Sequence, residues 1–325
     1  GNALGATHSG DESYSIDRVP PEILALALHD PPSPDTNEEQ VTFAVTFSEA
    51  VVGLDTDNFS IDATGIQMGA AIASVDGSGE TWTVTVSTAT GDGALSLDLD
   101  ANLGNIVDLG GNAVVAAFTE GEAYTVDQTS PTVTAITRHS PDRPRTNAAT
   151  VTFEVTFNEP VVGVTSANFA IDGDGPQAGA IITGVAGSGA VWTVNVTTAD
   201  GDDRLSIDLD NVAGIADAAG NALLVAYADG ESYVIDRTAP QITARETVDR
   251  NGNGYIDAIL LTLNEGVNDA TVVTAQFSIQ GSVQVGPVAV TGDTVDDALI
   301  TIPFTDGVLL SGDGPRVFCN SGALA

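Results

Sequence analysis

Along residues 41–48 apolar and small residues alternate strictly, with Val41, Phe43, Val45 and Phe47 set against Thr42, Ala44, Thr46 and Ser48. A period of two puts every second side chain on one face, as in a strand buried on one side. The pattern returns at 82–86, where Trp82, Val84 and Val86 are separated by threonines, and at 95–100, where Leu95, Leu97 and Leu99 alternate with Ser96, Asp98 and Asp100. Ile23, Leu24, Leu26 and Leu28 predict a strand before these, and shorter ones are expected at 58–61, 70–75 and 123–126. Between them lie a Pro-rich acidic loop at 29–39, a turn DGSGE at 76–80 and a loop IVDLGGNA at 106–113. Seven short strands without a helical period predict an all-β, seven-stranded immunoglobulin-like sandwich.

The pattern then repeats. VTFEVTFNEPVVG at 151–163 answers VTFAVTFSEAVVG at 41–53, and IADAAGNA at 215–222 answers IVDLGGNA. A Tyr, a short strand ending in Asp, and a Pro occur together three times, as GDESYSIDRVPP, GEAYTVDQTSP and GESYVIDRTAP. The three aspartates, Asp17, Asp127 and Asp236, stand 110 and 109 residues apart. So regular a period predicts like domains joined end to end. The expected division is 18–127, 128–236 and a divergent third repeat, 237–325, that lacks its last strand. Residues 1–17 match 111–127 and 220–236, so they read as the last strand of a preceding or neighbouring repeat.

Charge narrows the function. Forty-five acidic residues against nine basic ones give a formal net charge of −36. Such a chain repels nucleic acid and anionic lipid, and suits a self-repelling soluble rod or one that gathers divalent cations. All nine basic residues are Arg, which removes Lys-based Schiff bases, phosphate loops and isopeptide crosslinks. Cys319 is the single cysteine, so no intrachain disulfide forms. No apolar run approaches a membrane span, so direct membrane insertion is not expected.

The strings F-[S/N]-E-[A/P]-V-V-G, D-x-x-G-N-A and Y-x-[V/I]-D-x-[T/V]-[A/S]-P resemble those of the Ig-like repeats of large secreted bacterial adhesins and biofilm-associated surface proteins. The resemblance covers the whole chain and implies an extracellular location, on the bacterial surface or secreted. It also implies an extended array, often stiffened by calcium at the domain junctions. The motifs specify the module and no ligand.

The carboxylates are readable without the family. If seven strands alternate in direction, the loop after the second strand and the loop before the seventh both lie at the end where the previous repeat's last strand arrives. That brings together Asp17, Glu49 and Asp108 for the first repeat, Asp127, Glu159 and Asp217 for the second, and Asp236 and Glu265 for the third. Clustered carboxylates repel unless a cation bridges them, and Ca²⁺ takes six to eight oxygens of this kind. The alternative is that these are acidic residues of ordinary solvated turns. A second calcium candidate is DRNGNGYID, with Asp249, Asn251, Asn253, Tyr255 and Asp257 at the spacing of an EF-hand loop opening. Its twelfth position is Leu260, not Glu, and its flanks read as strands, so an ordinary Asn-Gly turn competes.

Trp82 and Trp192 are expected in the core, and Asp98, Asp100, Asp208 and Asp210 on a solvated strand face. No nucleophile, metallohydrolase or phosphate-loop motif is present, so no enzyme is expected. Three functions remain: an extracellular structural or adhesive array, accessory repeats of a secreted enzyme, and a surface filament subunit. In the last, residues 1–17 would insert into the third repeat of the next chain, head to tail.

Overall fold

A computed structural model of the chain describes residues 15–173, 175–267, 272, 277–279, 298–303, 309–310 and 317–319. The expected donor strand, residues 1–17, lies almost wholly outside them. The chain divides into two units, Gly1–Ile235 and Asp236–Ala325.

The first unit holds two sandwiches. In the first are β1 (Ile23–Asp30), β2 (Asp35–Thr36), β3 (Gln40–Val52), β4 (Phe59–Ala63), β5 (Ala71–Ser87), β6 (Gly93–Leu99), β7 (Val107–Asp108) and β8 (Ala123–Val126). The second has β9 (Val133–Ser140), β10 (Arg145–Thr146), β11 (Thr150–Phe157), β12 (Phe169–Gly173), β13 (Ile181–Ser188), β14 (Val191–Thr197), β15 (Asp203–Leu209) and β16 (Tyr233–Ile235). Its sheets run β13-β14-β11-β9 and β10-β16-β15-β12. The first sandwich repeats this as β1-β3-β5, with β7 on β3, and β2-β8-β6-β4. Two sheets with this strand order, antiparallel except where β2 joins β8 and β10 joins β16, make an immunoglobulin-like sandwich.

Alternation explains the core. Val41, Phe43, Val45 and Phe47 are at most 1% exposed, and face Leu95, Leu97 and Leu99, which are fully buried. Val151, Phe153, Val155 and Phe157 meet Leu205, Ile207 and Leu209 in the same way. Each side chain contributes about 1.5–3 kcal/mol by burial. The repeated tyrosine closes each sandwich: Tyr124 is buried edge-on to Phe43 with ring centroids 5.1 Å apart, as Tyr233 is to Phe153.

The structure departs from the sequence reading in three places. The Pro-rich loop contains a two-residue strand, β2, which pairs in parallel with β8. The loop before β8 contains β7, which pairs with the end of β3. The expected fourth strand, turn and fifth strand of the first repeat form one element, β5; its counterparts β13 and β14 pair as a hairpin from Ile181↔Thr197 to Ser188↔Val191. Trp82 and Trp192 are half-buried at the edge of their cores, and each ring N–H donates to a turn carbonyl, Gly79 at 3.1 Å and Gly189 at 3.0 Å.

The second unit contains β17 (Ile242–Val248), β18 (Tyr255–Ile256), β19 (Ala258–Leu263), β20 (Phe277–Ile279), β21 (Leu299–Pro303), β22 (Leu309–Leu310) and β23 (Val317–Cys319). The order β17-β19-β21 reproduces one sheet of the other sandwiches, while β20 pairs with β23. Here β18 pairs antiparallel with β22, where β2 and β10 pair in parallel with β8 and β16. Ile256, Ile259, Leu261, Leu263, Val267, Phe277, Ile300 and Ile302 form its core.

Candidate metal centres

The second sandwich shows how its trio is assembled. Strand β11 ends at Phe157, whose N–H bonds Ala190, and the chain rejoins the sheet at Val161, whose N–H bonds Gly189. The residues between, Asn158, Glu159 and Pro160, bulge out of the ladder, and a bulge re-aims the side chain it carries. Asn158 Oδ1 accepts the Thr132 N–H at 2.6 Å, which ties the bulge to the entering chain. Ser48 and Asn264 make the matching bond in the other repeats, at 2.9 and 2.6 Å. Gly163, with φ +82°, then turns the chain toward the loop that carries Asp217.

That loop is built on Asp217 itself. Its carboxylate accepts the N–H groups of Gly220 and Asn221 and the Asn221 side-chain amide, each at 2.8 Å. The D-x-x-G-N motif is therefore a closed turn with a buried carboxylate at its centre. Asp108 in the first repeat is bound in the same manner by Asn112, at 2.8 Å through both backbone and side chain.

Asp127, Glu159 and Asp217 each place a carboxylate oxygen within 4.8 Å of the others, and so do Asp17, Glu49 and Asp108. In both trios the loop aspartate is buried and the glutamate half-buried, while the linker aspartate is exposed in the first, Asp17, and half-buried in the second, Asp127. Their electrostatics differ by role. Burial first, then Asp127 and Asp217, push the Glu159 carboxyl up; burial, Asp17 and Asp108 do the same to Glu49. Asp108 is held below the usual carboxylate range, first by the Asn112 side-chain bond. Each trio thus combines one carboxylate fixed by amides with another raised by burial and then by its like-charged neighbours.

The donor set fits a hard divalent cation. Two oxygens at about 2.4 Å from one Ca²⁺ lie at most about 4.8 Å apart, and three carboxylates offer up to six oxygens. The third expected pair, Asp236 and Glu265, joins no trio among the described residues.

Asp249, Asn251, Asn253 and Tyr255 are exposed in the connection between β17 and β18, and Asp257 is half-buried. Asp249 accepts the N–H of Gly252 at 2.7 Å and of Gly254 at 2.8 Å, which hold its carboxyl below the ordinary range, the Gly254 bond most strongly. Asn251 accepts from Asn253 at 3.0 Å, and Asn253 from Tyr255 at 2.9 Å. Asp257 accepts the Arg250 N–H at 2.8 Å. Positive φ at Gly252 and Gly254 permits this tight winding. The same bonds would form in an Asx-rich turn, so the geometry is compatible with both readings of this loop.

One carboxylate beside the second trio was missed in the sequence. Asp92, in the turn between β5 and β6, accepts the Gln128 N–H at 2.8 Å and the Thr129 hydroxyl at 2.7 Å, and its own carboxyl is lowered by them, the Gln128 bond first. The signal was present in the strand count, which places this turn where β8 leaves the sandwich.

Asp98 and Asp208 lie on the outer face of β6 and β15 and are pushed up first by burial, then by acidic neighbours that include Asp100 and Asp210 respectively. Among the described residues no helix is long and apolar enough to cross a membrane.

No protein-family model matches the chain, and no curated protein matches it. Among solved structures it is similar to the Escherichia coli adhesin FdeC, at 14% identity and a TM-score of 0.43, covering 93% of this chain and 99% of that one. It is also similar to invasin, described as a bacterial integrin-binding protein, at 13% identity and a TM-score of 0.37, covering 91% of this chain and 60% of that one. Domains 5–6 of the S-layer protein SbsC match at 13% identity and a TM-score of 0.19, over 67% of this chain and all of that one.

Proposed function

We propose that the chain is a structural and adhesive segment of an extracellular bacterial surface array, stiffened by calcium where one repeat meets the next. The observation that carries this reading is the recurrence of the same carboxylate trio in both sandwiches of the first unit, on a bulge, a closed loop and an entering linker. A solvated acidic turn has no need to repeat that convergence.

In this reading Asp17, Glu49 and Asp108 hold one ion and Asp127, Glu159 and Asp217 another. A bound ion would supply charge neutralisation and shared coordination between a linker and the sandwich that follows it. The chain's own residues do the rest: the Asn112 and Asn221 amides orient the loop carboxylates, and Ser48 and Asn158 anchor the bulges. Extracellular modules work with calcium dissociation constants of about 10⁻⁴–10⁻³ M, a range open sites of this kind can reach. The protein's role is mechanical and adhesive, with no substrate turned over.

The test is calorimetric titration of the full chain with CaCl₂ after exhaustive chelation, beside the Glu159→Gln variant. Wild type should take up calcium and melt higher with it, and the variant should bind fewer ions. Absence of binding heat together with identical melting in calcium and chelator would leave the trios as solvated acidic turns.

A further inference from the structure

The stretch between the two sandwiches of the first unit is held from both sides by hydrogen bonds that involve no cation. On the side of the first sandwich, Asp92 accepts the Gln128 N–H at 2.8 Å and the Thr129 hydroxyl at 2.7 Å. The Gln128 side chain answers by accepting the Gly91 N–H at 2.9 Å. Thr129 also donates its N–H to Asp127 Oδ1 at 3.0 Å, so both of its donors are used inside the joint. On the side of the second sandwich, the Asn221 amide donates to the Asp127 carbonyl at 2.8 Å. Asn37, in the first sandwich just past β2, donates its amide to Asn221 Oδ1 at 3.1 Å. Asn221 is therefore shared: one amide bonds Asp217 in its own loop, the linker carbonyl, and a side chain of the preceding sandwich.

We propose that Asp92, Gln128, Thr129, Asn221 and Asn37 form a latch that sets the angle between the first and second sandwiches before any cation binds. The chemistry favours this division of labour. Charge-assisted bonds from a carboxylate to N–H and O–H groups are short and directional. They restrain the backbone at Gln128 and Thr129, whereas a cation restrains only the carboxylate oxygens it touches. Three linker residues are held at Asp127 O, Asp127 Oδ1, Gln128 N, Gln128 Oε1, Thr129 N and Thr129 Oγ1, which leaves little torsional freedom between two rigid sheets. The latch does not depend on the calcium reading: it holds the joint with the trio empty or filled.

The test is run on the full chain in excess chelator, so that the cation reading plays no part. Spin labels at Ala71→Cys and Ile181→Cys, equivalent exposed positions one repeat apart, report the distance across the joint in a Cys319→Ser background. The unsubstituted joint should give a narrow distance distribution whose mean does not move when calcium is added, and any further narrowing by calcium reports on the cation reading and not on the latch. Asp92→Ala with Asn37→Ala should widen it at least about twofold. Asp92→Asn should stay narrow, because its remaining side-chain oxygen still accepts the Gln128 N–H. Near-UV circular dichroism from Trp82 and Trp192 reports whether each sandwich is folded. Asn37→Ala alone, whose side-chain amide reaches only across the joint, provides a second variant that spares both cores, and should widen the distribution by itself. A broad distribution in the unsubstituted joint, an alanine double variant as narrow as wild type, or Asp92→Asn as broad as alanine would overturn the latch.

Discussion

Tyr233 is fully buried, yet it carries a hydroxyl that must find partners. It lies 2.9 Å from the Pro141 carbonyl and 3.0 Å from the Thr152 carbonyl, and so joins β16 to the turn after β9 and to β11. Tyr233→Phe keeps the ring and leaves those carbonyls short of a donor. The expected cost is about 1–3 kcal/mol, read from the urea midpoint at constant slope. Burial pushes the Tyr233 hydroxyl up from the usual 10.0 to about 12. The folded state therefore keeps this proton more tightly than the unfolded chain does. Its contribution is complete below pH 10 and is lost as pH rises through about 12. Melting temperature should accordingly fall across that window, and Tyr233→Phe should fall less steeply there. At this scale the sequence showed which residues recur but not always why. The tyrosine was visible as a marker of the period, while its partners lie more than 80 residues away. The two trios were legible because strand parity brings the loop after the second strand, the loop before the seventh and the linker to one end; that Glu49 sits on a bulge within β3 was not. Asp92 was legible by the same count, but its Gly-Asp-Gly setting reads as a generic turn. Buried Asn168 was not legible at all: its amide reaches the carbonyls of Asn211 at 2.7 Å and Ala213 at 3.0 Å, across a connection no local pattern reveals.

The elements that alternate strictly were the ones the sequence located best. Strands β3, β6, β11 and β15 each bury one full face, so period two is imprinted on them. The first arm of β5 has no buried residue from Ala71 to Ser74, and the turn expected at 76–80 lies within one continuous strand, Ala71–Ser87. Strands β2 and β10 have two residues each and owe their pairing to neighbours. The motif V-V-G shows a further element-level constraint that the letters alone hide. Gly53 and Gly163 have φ of +87° and +82°, and a Cβ at either would strike a backbone carbonyl, Asn105 or Gly214. The glycine is what lets the chain leave the bulge and pass against the loop that leads to Asp108 or Asp217. Gly163→Ala should therefore cost at least about 1–2 kcal/mol for the left-handed conformation, with the clash added. Urea unfolding should show that loss, whereas Gly189→Ala, with φ +64° and open space around it, should lose only the conformational part.

At the scale of the whole molecule, charge outweighs the other features. A net −36 makes every compact arrangement self-repelling, and the carboxylate trios concentrate that repulsion beside the joints. The period of about 110 residues announced like sandwiches, but the meeting of three carboxylates depends on side-chain placement and not on spacing alone. Two kinds of cation should act differently. Sodium screens at a distance: the Debye length falls to about 10 Å at 0.1 M, so added NaCl should raise the melting temperature gradually and then level off. Calcium held by a trio acts by mass action on the folded state, by about 2.7 kcal/mol at one hundred times its dissociation constant. Its effect should appear at low millimolar concentration, on top of a fixed 0.15 M NaCl background, and follow a saturating curve. Magnesium should do less, because it demands near-octahedral geometry and gives up water reluctantly. Glu49→Gln and Glu159→Gln should each remove part of the calcium step. The two losses should add, since the trios lie in separate sandwiches with separate cores. Melting curves that coincide for calcium and sodium at equal ionic strength would reduce the trios to diffuse charge, whereas a calcium step that survives in 0.15 M NaCl and disappears only in the double variant would assign it to these six carboxylates.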